Sequence, residues 1–329
     1  MSAVVGVAWG GFTSEYNISK KSGDAVFSAL QTSPFEVYKI HITKNEWSVS
    51  DVSGKIYKLN REDFSFIKEG VSIVFDVIVN MIHGAPGENG QLTGMLELLK
   101  IPQTSCSSYV AALTHNKRDC LAVARSNKIP TARFFTLDQG DDFTIEKIEK
   151  AVGFPCFVKA NRAGSSFGVY KVYTPEELPT AIQKAFEEDN QLLIETALEG
   201  REVSVGVYKW KNKIHVLPIT EIISENDFFD YQAKYKGKSQ EITPAKIPEV
   251  WKEALIDLST KIYKQMGLEG VVRSEFIFEN GTPHLLEINT IPGMTLESLI
   301  PQQLKASGIS LTDFLEELIS ETMKKKEYL

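Results

Sequence analysis

The stretch VVRSEFIFENGTPHLLEINT, residues 271–290, restricts the fold more than any other. Two apolar, β-rich runs flank an Asn280-Gly281 pair, which is a strong hairpin signal. Side chains alternate across a pleat, so Arg273 and Glu275 leave one face while Val272, Phe276 and Phe278 leave the other. Glu287 and Asn289, two residues apart, likewise share a face. Two oxygen donors on a rigid strand suit a hard cation such as Mg²⁺ carrying nucleotide phosphates. A solvent-facing strand with two ordinary polar residues accounts equally well for that strand alone. The turn that follows, Ile291-Pro292-Gly293-Met294-Thr295, brings backbone N–H groups toward the same point.

Register decides between these readings. A strict two-residue Asn280-Gly281 loop places Glu275 opposite Leu286, on the other face from Glu287. A three-residue loop or a bulge places Glu275 opposite Glu287, so that Arg273, Glu275, Glu287 and Asn289 share one face and the apolar set is buried on the other. The expectation is therefore a bulged or odd-length Asn280-Gly281 turn.

At 329 residues, 43% hydrophobic and 24% charged, the chain has room for two or three domains with real cores. A formal charge of −7 argues against non-specific binding to nucleic acid or to an anionic membrane surface. No apolar run reaches the length of a membrane span and no basic leader opens the chain, so a cytoplasmic protein is expected. The odd set Cys106, Cys120 and Cys156 fits reduced thiols in that compartment.

In order along the chain, AVVGVAW (3–9) reads as a buried parallel strand, followed by a glycine turn and a helix from near Glu15 to Leu30. A carboxylate at that corner attracts a cation such as a substrate ammonium, or simply favours the helix dipole. Residues 35–42 read as a strand, 45–60 as a peripheral hairpin and 71–82 as a single strand. The strand 71–82 ends on the glycine-rich loop His83-Gly84-Ala85-Pro86-Gly87-Glu88-Asn89-Gly90, where open α/β sheets bind ligands. His83 and Glu88 are its polar handles, although the loop lacks the Lys-Ser/Thr of a P-loop. Residues 114–127 read as one capped helix with Lys117 in its first turn, a position unfavourable for a cation that hints at function, with an ordinary solvated lysine as the commoner explanation.

Further on, Lys159 lies inside an apolar strand pattern, ahead of the loop Ala163-Gly164-Ser165-Ser166-Phe167-Gly168, which suits phosphates. Residues 191–210 place Glu195 at the end of one strand and Glu202 at the start of the next. That linker suits a flat base and ribose hydroxyls, or is a structural turn with exposed acids. FFDYQAKYKGKS (228–239) reads as a loop ordered on binding, carrying Lys234 and Tyr235. Helices are expected at 248–267 and from Leu311. The expected division is 1–105, 106–190 and 191–329.

The ordered set GGFTSE, HGAPGENG, NKR, VKANRAGSSFGV, LIETALEGRE, FFDYQAKY, VVRSE and LLEINTIPGMTLESLIP resembles the D-alanine–D-alanine ligases of the ATP-grasp superfamily, from about residue 3 to residue 320. The resemblance implies an N-terminal α/β domain followed by an α+β ATP-grasp fold, whose two subdomains clamp ATP between antiparallel sheets. By motif, Lys117 and Lys159 resemble the ATP phosphate lysines, Glu195, Thr196, Ala197 and Leu198 the adenine linker, and Glu202 the ribose acid. Glu275, Glu287 and Asn289 resemble the ligands of two Mg²⁺ ions, with Mn²⁺ as a substitute. Glu15 matches the residue that meets the first D-alanine's ammonium, with His83 near its carboxylate, and Lys234 belongs to the mobile substrate-covering loop. Ser165 and Tyr235 resemble the partners linking the glycine-serine loop and the mobile loop to Glu15. Arg273 and the Gly293 N–H resemble the oxyanion stabilisers, and Ser298 the group receiving the second D-alanine's carboxylate. A homodimer through the N-terminal domain is also implied.

The chain departs from the family pattern at several positions. Asn89 and Thr93 stand where Asp and Gln are usual, Ala160 replaces a proline, Thr196 a lysine and Glu275 an aspartate. Tyr235, rather than phenylalanine, resembles the dipeptide-forming members more than those making D-alanyl-D-lactate. Another ATP-grasp carboxylate–amine ligase, and a non-catalytic nucleotide-binding protein, are the competing classes.

Overall fold

Three larger sheets organise the chain; the computed structural model describes residues 2–224 and 239–324. Lys234 and Tyr235 lie outside the described residues. In the first sheet the apolar strand Val4–Gly10 is central and pairs in parallel with Glu36–Ile42 and Val77–Asn80. The antiparallel strands Trp47–Ser50 and Ile56–Lys58 extend one edge. The helix Tyr16–Leu30 buries Val26, Phe27 and Leu30 against Val5, Val7, Val77 and Val79, while Ala8, Ile40 and Ile78 face a second core with Tyr38, Phe64, Phe66 and Phe75. The single strand expected over 71–82 is two: Val71–Ile73 pairs with Phe66–Lys68, and only Val77–Asn80 joins the main sheet.

The second sheet, Phe134–Asp138, Gln191–Thr196, Cys156–Ala160 and Val169–Val172, is antiparallel throughout. Its inward set, Leu137, Val158, Val172, Leu192 and Ile194, packs with Ile148, Val152, Leu178 and Ile182 from the helices Ile145–Val152 and Leu178–Ala185. Gln191–Thr196, assigned from sequence to the third segment, thus pairs within the second.

The third sheet is built around Arg201–Trp210, flanked by Val271–Glu279 with Thr282–Asn289 on one side and by Lys213–Val216, Thr220–Ser224 and Ser239–Ile242 on the other. Val203, Val205, Val207, Val272 and Phe276 fill a core with helix Glu249–Gln265 and with Val110, Cys120, Leu121 and Ala124. Residues 106–129, expected with the second segment, therefore contribute to the third sheet's core. They form two helices rather than the single one expected over 114–127: Ser108–His115 and Lys117–Ser126, broken at an extended Asn116 that caps the second by accepting from Asp119 N. The last described helix, Leu311–Lys324, returns to the first sheet and inserts Phe314, Leu315, Leu318 and Ile319 beside Val5, Val7 and Phe27.

The turn of the 271–289 hairpin is a clean two-residue loop, with Glu279 opposite Thr282 and both Asn280 (φ 51°) and Gly281 (φ 77°) left-handed. The irregularity sits inside the strand instead. Phe276 pairs with Leu285 and Glu275 with Glu287, so Leu286 is the extra residue of a β-bulge. Burial explains why the bulge is held. Phe276, Leu285 and Ile288 are buried in one core, each contributing about 1.5–3 kcal/mol, and an unbulged slip would expose part of that set. The bulge was expected, and its place in the turn was not borne out.

Candidate active site

Glu15 stands just before the first helix, with its side chain buried. Ser165, from the loop between Cys156–Ala160 and Val169–Val172, donates a 2.7 Å hydrogen bond to Glu15 Oε1. Gly164 makes that approach feasible, because a Cβ there would sit 2.5 Å from Glu15 Oε1 and 2.7 Å from Oε2. Gly84 (φ +69°) flanks the same carboxylate, 3.3 Å from Glu15 Oε2 at its would-be Cβ, and its N–H donates to Glu88 Oε2 at 2.7 Å. Two carboxylates thus converge on one glycine. Burial, together with the Glu15 carboxylate, pushes Glu88 up to about 8.

Lys117 opens the helix Lys117–Ser126, and its ammonium is occupied: Nζ donates to Ala163 O at 2.5 Å and lies 3.4 Å from Glu287 Oε2. These contacts, reaching the glycine-serine loop and the hairpin, account for a cation at the positive end of a helix. Asn161, not singled out from sequence, fastens the arrangement. Fully buried, it accepts from Arg118 N at 2.8 Å, donates to Asn116 Oδ1 at 2.9 Å, and accepts Lys117 N on its own carbonyl at 3.2 Å. Its signal in sequence was only a polar residue after an apolar strand.

On the hairpin, the bulge sets Glu275 directly across from Glu287 and Arg273 across from Asn289. Arg273 lies 2.7 Å from Glu275 Oε1, an ion pair without hydrogen-bond alignment, and the buried Arg273 Nε and Glu275 Oε1 both lack a hydrogen-bond partner. Asn289 Nδ2 is 3.4 Å from Glu287 Oε1. Among the described residues no three His, Cys, Asp or Glu side chains gather at one point. The oxygen set here is two carboxylates and one amide, all hard donors of the kind that suits a divalent cation of Mg²⁺ type, with Glu275 Oε1 turned to the Arg273 guanidinium.

His83 is buried, and its Nε2 lies 3.1 Å from Ser22 Oγ, which also accepts from Met294 N at 3.3 Å. Ser22, missed from sequence, ties the glycine-rich loop to the Gly293-Met294 turn; its signal was a polar residue on the apolar face of the first helix, two turns after Glu15. Burial and the nearby Arg273 charge hold His83 down at about 4, so the ring is neutral near pH 7. Ser298 caps helix Leu299–Ala306 and shares a 2.9 Å hydrogen bond with Thr295 Oγ1. Its hydroxyl is 2.7 Å from where a Gly293 Cβ would stand, so only glycine leaves that turn open beside it.

Lys159 and Glu195 are adjacent in the second sheet, with Nζ 2.5 Å from Glu195 Oε2. Burial works to lower the Lys159 pKa, but the Glu195 carboxylate overrides it and the ammonium is held above its ordinary range. Glu202, across from Ile277 and Ile222, and Glu287 both add to the field at Lys159. The linker itself is less open than its sequence suggests. Thr196 N donates to Arg133 O at 2.9 Å, Thr196 Oγ1 to Val152 O at 2.7 Å, and Ala197 N to Pro155 O at 3.1 Å, so these groups are committed to the protein. Leu198 follows, half-buried.

The family models described as D-ala D-ala ligase N-terminus and D-ala D-ala ligase C-terminus match residues 4–106 and 123–320. A D-alanine--D-alanine ligase of Flavobacterium johnsoniae is 48% identical over 315 residues, 96% of this chain and 98% of that protein. The solved D-alanyl-alanine synthetase A of Vibrio cholerae superposes with a TM-score of 0.87 at 29% identity, over 98% of this chain and 99% of that one. A D-alanine--D-alanine ligase of Bacillus anthracis, solved in complex with ATP, gives 0.80 at 27% identity over 100% and 99% of the two chains. With two antiparallel sheets behind an α/β domain, and with matches spanning nearly its whole length, the chain belongs to the D-alanine–D-alanine ligase family, ATP-dependent enzymes that form a carbon–nitrogen bond.

Proposed function

We propose that the residues gathered around Glu15, Lys117 and the 271–289 hairpin join two D-alanine molecules, releasing ADP and phosphate, and that the product enters peptidoglycan precursor synthesis. The observation that carries this reading is the convergence of three sheets on one point: Glu15 bonded to Ser165, Lys117 beside Glu287, and Arg273 beside Glu275. Glu15 meets the ammonium of the first D-alanine, and neutral His83 faces its carboxylate. Lys117 and Lys159 hold the phosphates, the Glu195–Leu198 linker lies along the adenine, and Glu202 takes the ribose.

Glu275, Glu287 and Asn289 would hold two Mg²⁺ ions, or Mn²⁺ in their place, which would supply neutralisation of the phosphate charge. The first D-alanine's carboxylate oxygen attacks the γ-phosphorus, the bond to the β-phosphate oxygen breaks, and ADP leaves. The second D-alanine's amine then attacks the acyl carbon, and phosphate is expelled as the peptide bond forms. Arg273 and the Gly293 N–H stabilise the intervening oxyanion, a contribution of roughly 3 to 4 kcal/mol per donor. Ser298 receives the second carboxylate. Lys234 and Tyr235, outside the described residues, belong to the segment that we assign to covering the acylphosphate and excluding water.

We further place this work in the cytoplasm, where ATP and D-alanine are available, and in a homodimer formed through the N-terminal domain. Three buried free thiols are compatible with a reducing compartment, and no described helix is long and apolar enough to cross a membrane. The test is phosphate release from ATP with D-alanine, L-alanine and D-lactate offered singly and in pairs. D-alanine alone is expected to sustain turnover; absence of D-alanine-dependent release would overturn the assignment. Sedimentation velocity reads the dimer.

A further inference from the structure

The strand Arg201–Trp210 has a gap on the side away from the hairpin. Lys213–Val216 pairs only with its second half and Thr220–Ser224 only with its first, so around Val205 and Gly206 the ladder is interrupted by Leu217-Pro218-Ile219. Leu217 N reaches Gly206 O at 2.8 Å, but Pro218 has no N–H to offer and the strand's remaining groups need partners. Gln303, fully buried on helix Leu299–Ala306, supplies them. Its Oε1 accepts from Gly206 N at 3.1 Å, and its Nε2 donates to Ser204 O at 3.1 Å and to Thr220 Oγ1 at 3.0 Å.

The positions gripped are the ones that back the active site. Ser204 lies directly across from Glu275, and Gly206 directly across from Arg273. Paired residues in an antiparallel ladder point to the same face. A Cβ on Gly206 would collide with Gln303 Oε1 and Ile300 Cδ1, so the helix lies on the face from which Arg273 and Glu275 project. The other buried contacts of this helix, from Ile300 and Leu304, are apolar and non-directional. Among the described residues, the partly buried Gln302 amide also ties this helix to the sheet, donating to Glu241 Oε2 at 2.6 Å on an outer strand. The fully buried Gln303 amide, however, makes the directional bonds to Arg201–Trp210 itself that oppose a slide of the helix along that strand. Ser298, the N-cap, sits at the end that such a slide would displace.

We propose that Gln303 is a positioning residue for the second-substrate end of the site, holding Ser298 in register with Arg273. This rests on the reading that Ser298 receives the second D-alanine's carboxylate and Arg273 the oxyanion. The test compares Gln303→Met, which keeps length and removes the amide, with Gln303→Glu, which keeps the acceptor for Gly206 N–H and removes the donors, and with Ser298→Ala. Thermal unfolding and two-site analysis of the D-alanine dependence are measured for each.

In Gln303→Met the KM for the second D-alanine is expected to rise about tenfold while the KM values for ATP and the first D-alanine stay within about twofold; Gln303→Glu falls between. A parallel change in all three constants, an unchanged second KM with a lowered Tm, or failure of both variants to fold makes Gln303 a stability residue and overturns the proposal. If Ser298→Ala raises the second KM and Gln303→Met does not, only the inference about Gln303 fails. If Ser298→Ala leaves it unmoved, the assignment of Ser298 fails, and the proposal with it.

Discussion

Ser165 Oγ donates to Glu15 Oε1 at 2.7 Å, so a loop of the second sheet closes directly onto the carboxylate at the start of the first helix. Hydrogen bonds to charged groups contribute about 1.5–3 kcal/mol. Ser165→Ala is accordingly expected to lower kcat/KM for the first D-alanine about ten- to a hundredfold. The KM for ATP should move less. Steady-state kinetics with each substrate varied in turn check the split, and an unchanged kcat/KM would remove Ser165 from the site.

Gly164→Ala tests the closeness of that approach by a different route. Its new methyl would lie 2.5 Å from Glu15 Oε1, against a buried carboxylate with little room to retreat. A displacement of the order of 1 Å at a reacting centre costs about a hundredfold in rate. The expected outcome is loss of that order in kcat/KM with an unfolding midpoint close to the parent's, since Gly164 lies outside the hydrophobic cores.

Glu195→Gln should act on stability as much as on catalysis. Lys159 and Glu195 are paired at 2.5 Å with side chains 17% and 3% exposed, and removing one partner leaves a nearly buried charge uncompensated. Such a change costs about 3 kcal/mol. Urea unfolding of the variant reads this directly, and Lys159→Met with Glu195→Leu is expected to recover part of the loss because no lone charge remains.

His83 gives a pH dependence of definite sign. Its folded pKa of about 4 lies below the ordinary 6.5, so on acidification the unfolded chain takes up a proton that the folded chain refuses. The contribution is complete above pH 6.5, shrinks as the pH falls toward 4, and is constant below that. Between pH 7 and pH 5 the parent is expected to lose on the order of 2 kcal/mol more than His83→Gln in urea unfolding. Equal losses would mean that the ring titrates normally in the folded protein.

How much of this was legible in the sequence depends on the range of the interaction. The Glu275, Glu287 and Asn289 face could be read because a two-residue period and an apolar set that must be buried leave few registers, and the bulge was needed to satisfy both. Its location at Leu286 could not be read, because an extra residue in the turn and one in the strand satisfy the same pattern. The break at Asn116 was hidden because its neighbours continue a helical pattern, while the capping bond to Asp119 and the pull of Asn161 on Lys117 and Arg118 are set by tertiary contact. Thr196 and Ala197 looked open for a base because nothing local shows that Arg133, Val152 and Pro155 take their hydrogen bonds. Ser22, Asn161 and Gln303 share one reason for being missed: each is a small polar group whose partners are distant in the chain.

The helix Leu311–Lys324 lies against the first strand and first helix, with Phe314, Leu315, Leu318 and Ile319 completing the layer begun by Val5, Val7 and Phe27 and Thr312 Oγ1 donating to Ala29 O at 3.2 Å. The domain around Val4–Gly10 therefore emerges from the ribosome with one flank still uncovered, and the piece that covers it is made only after the second and third sheets. Until then the nascent chain carries a sticky apolar surface through the production of two further sheets. Premature termination near residue 306 would leave every proposed ligand of substrate and nucleotide in place, yet expose this seam to chaperones and proteases.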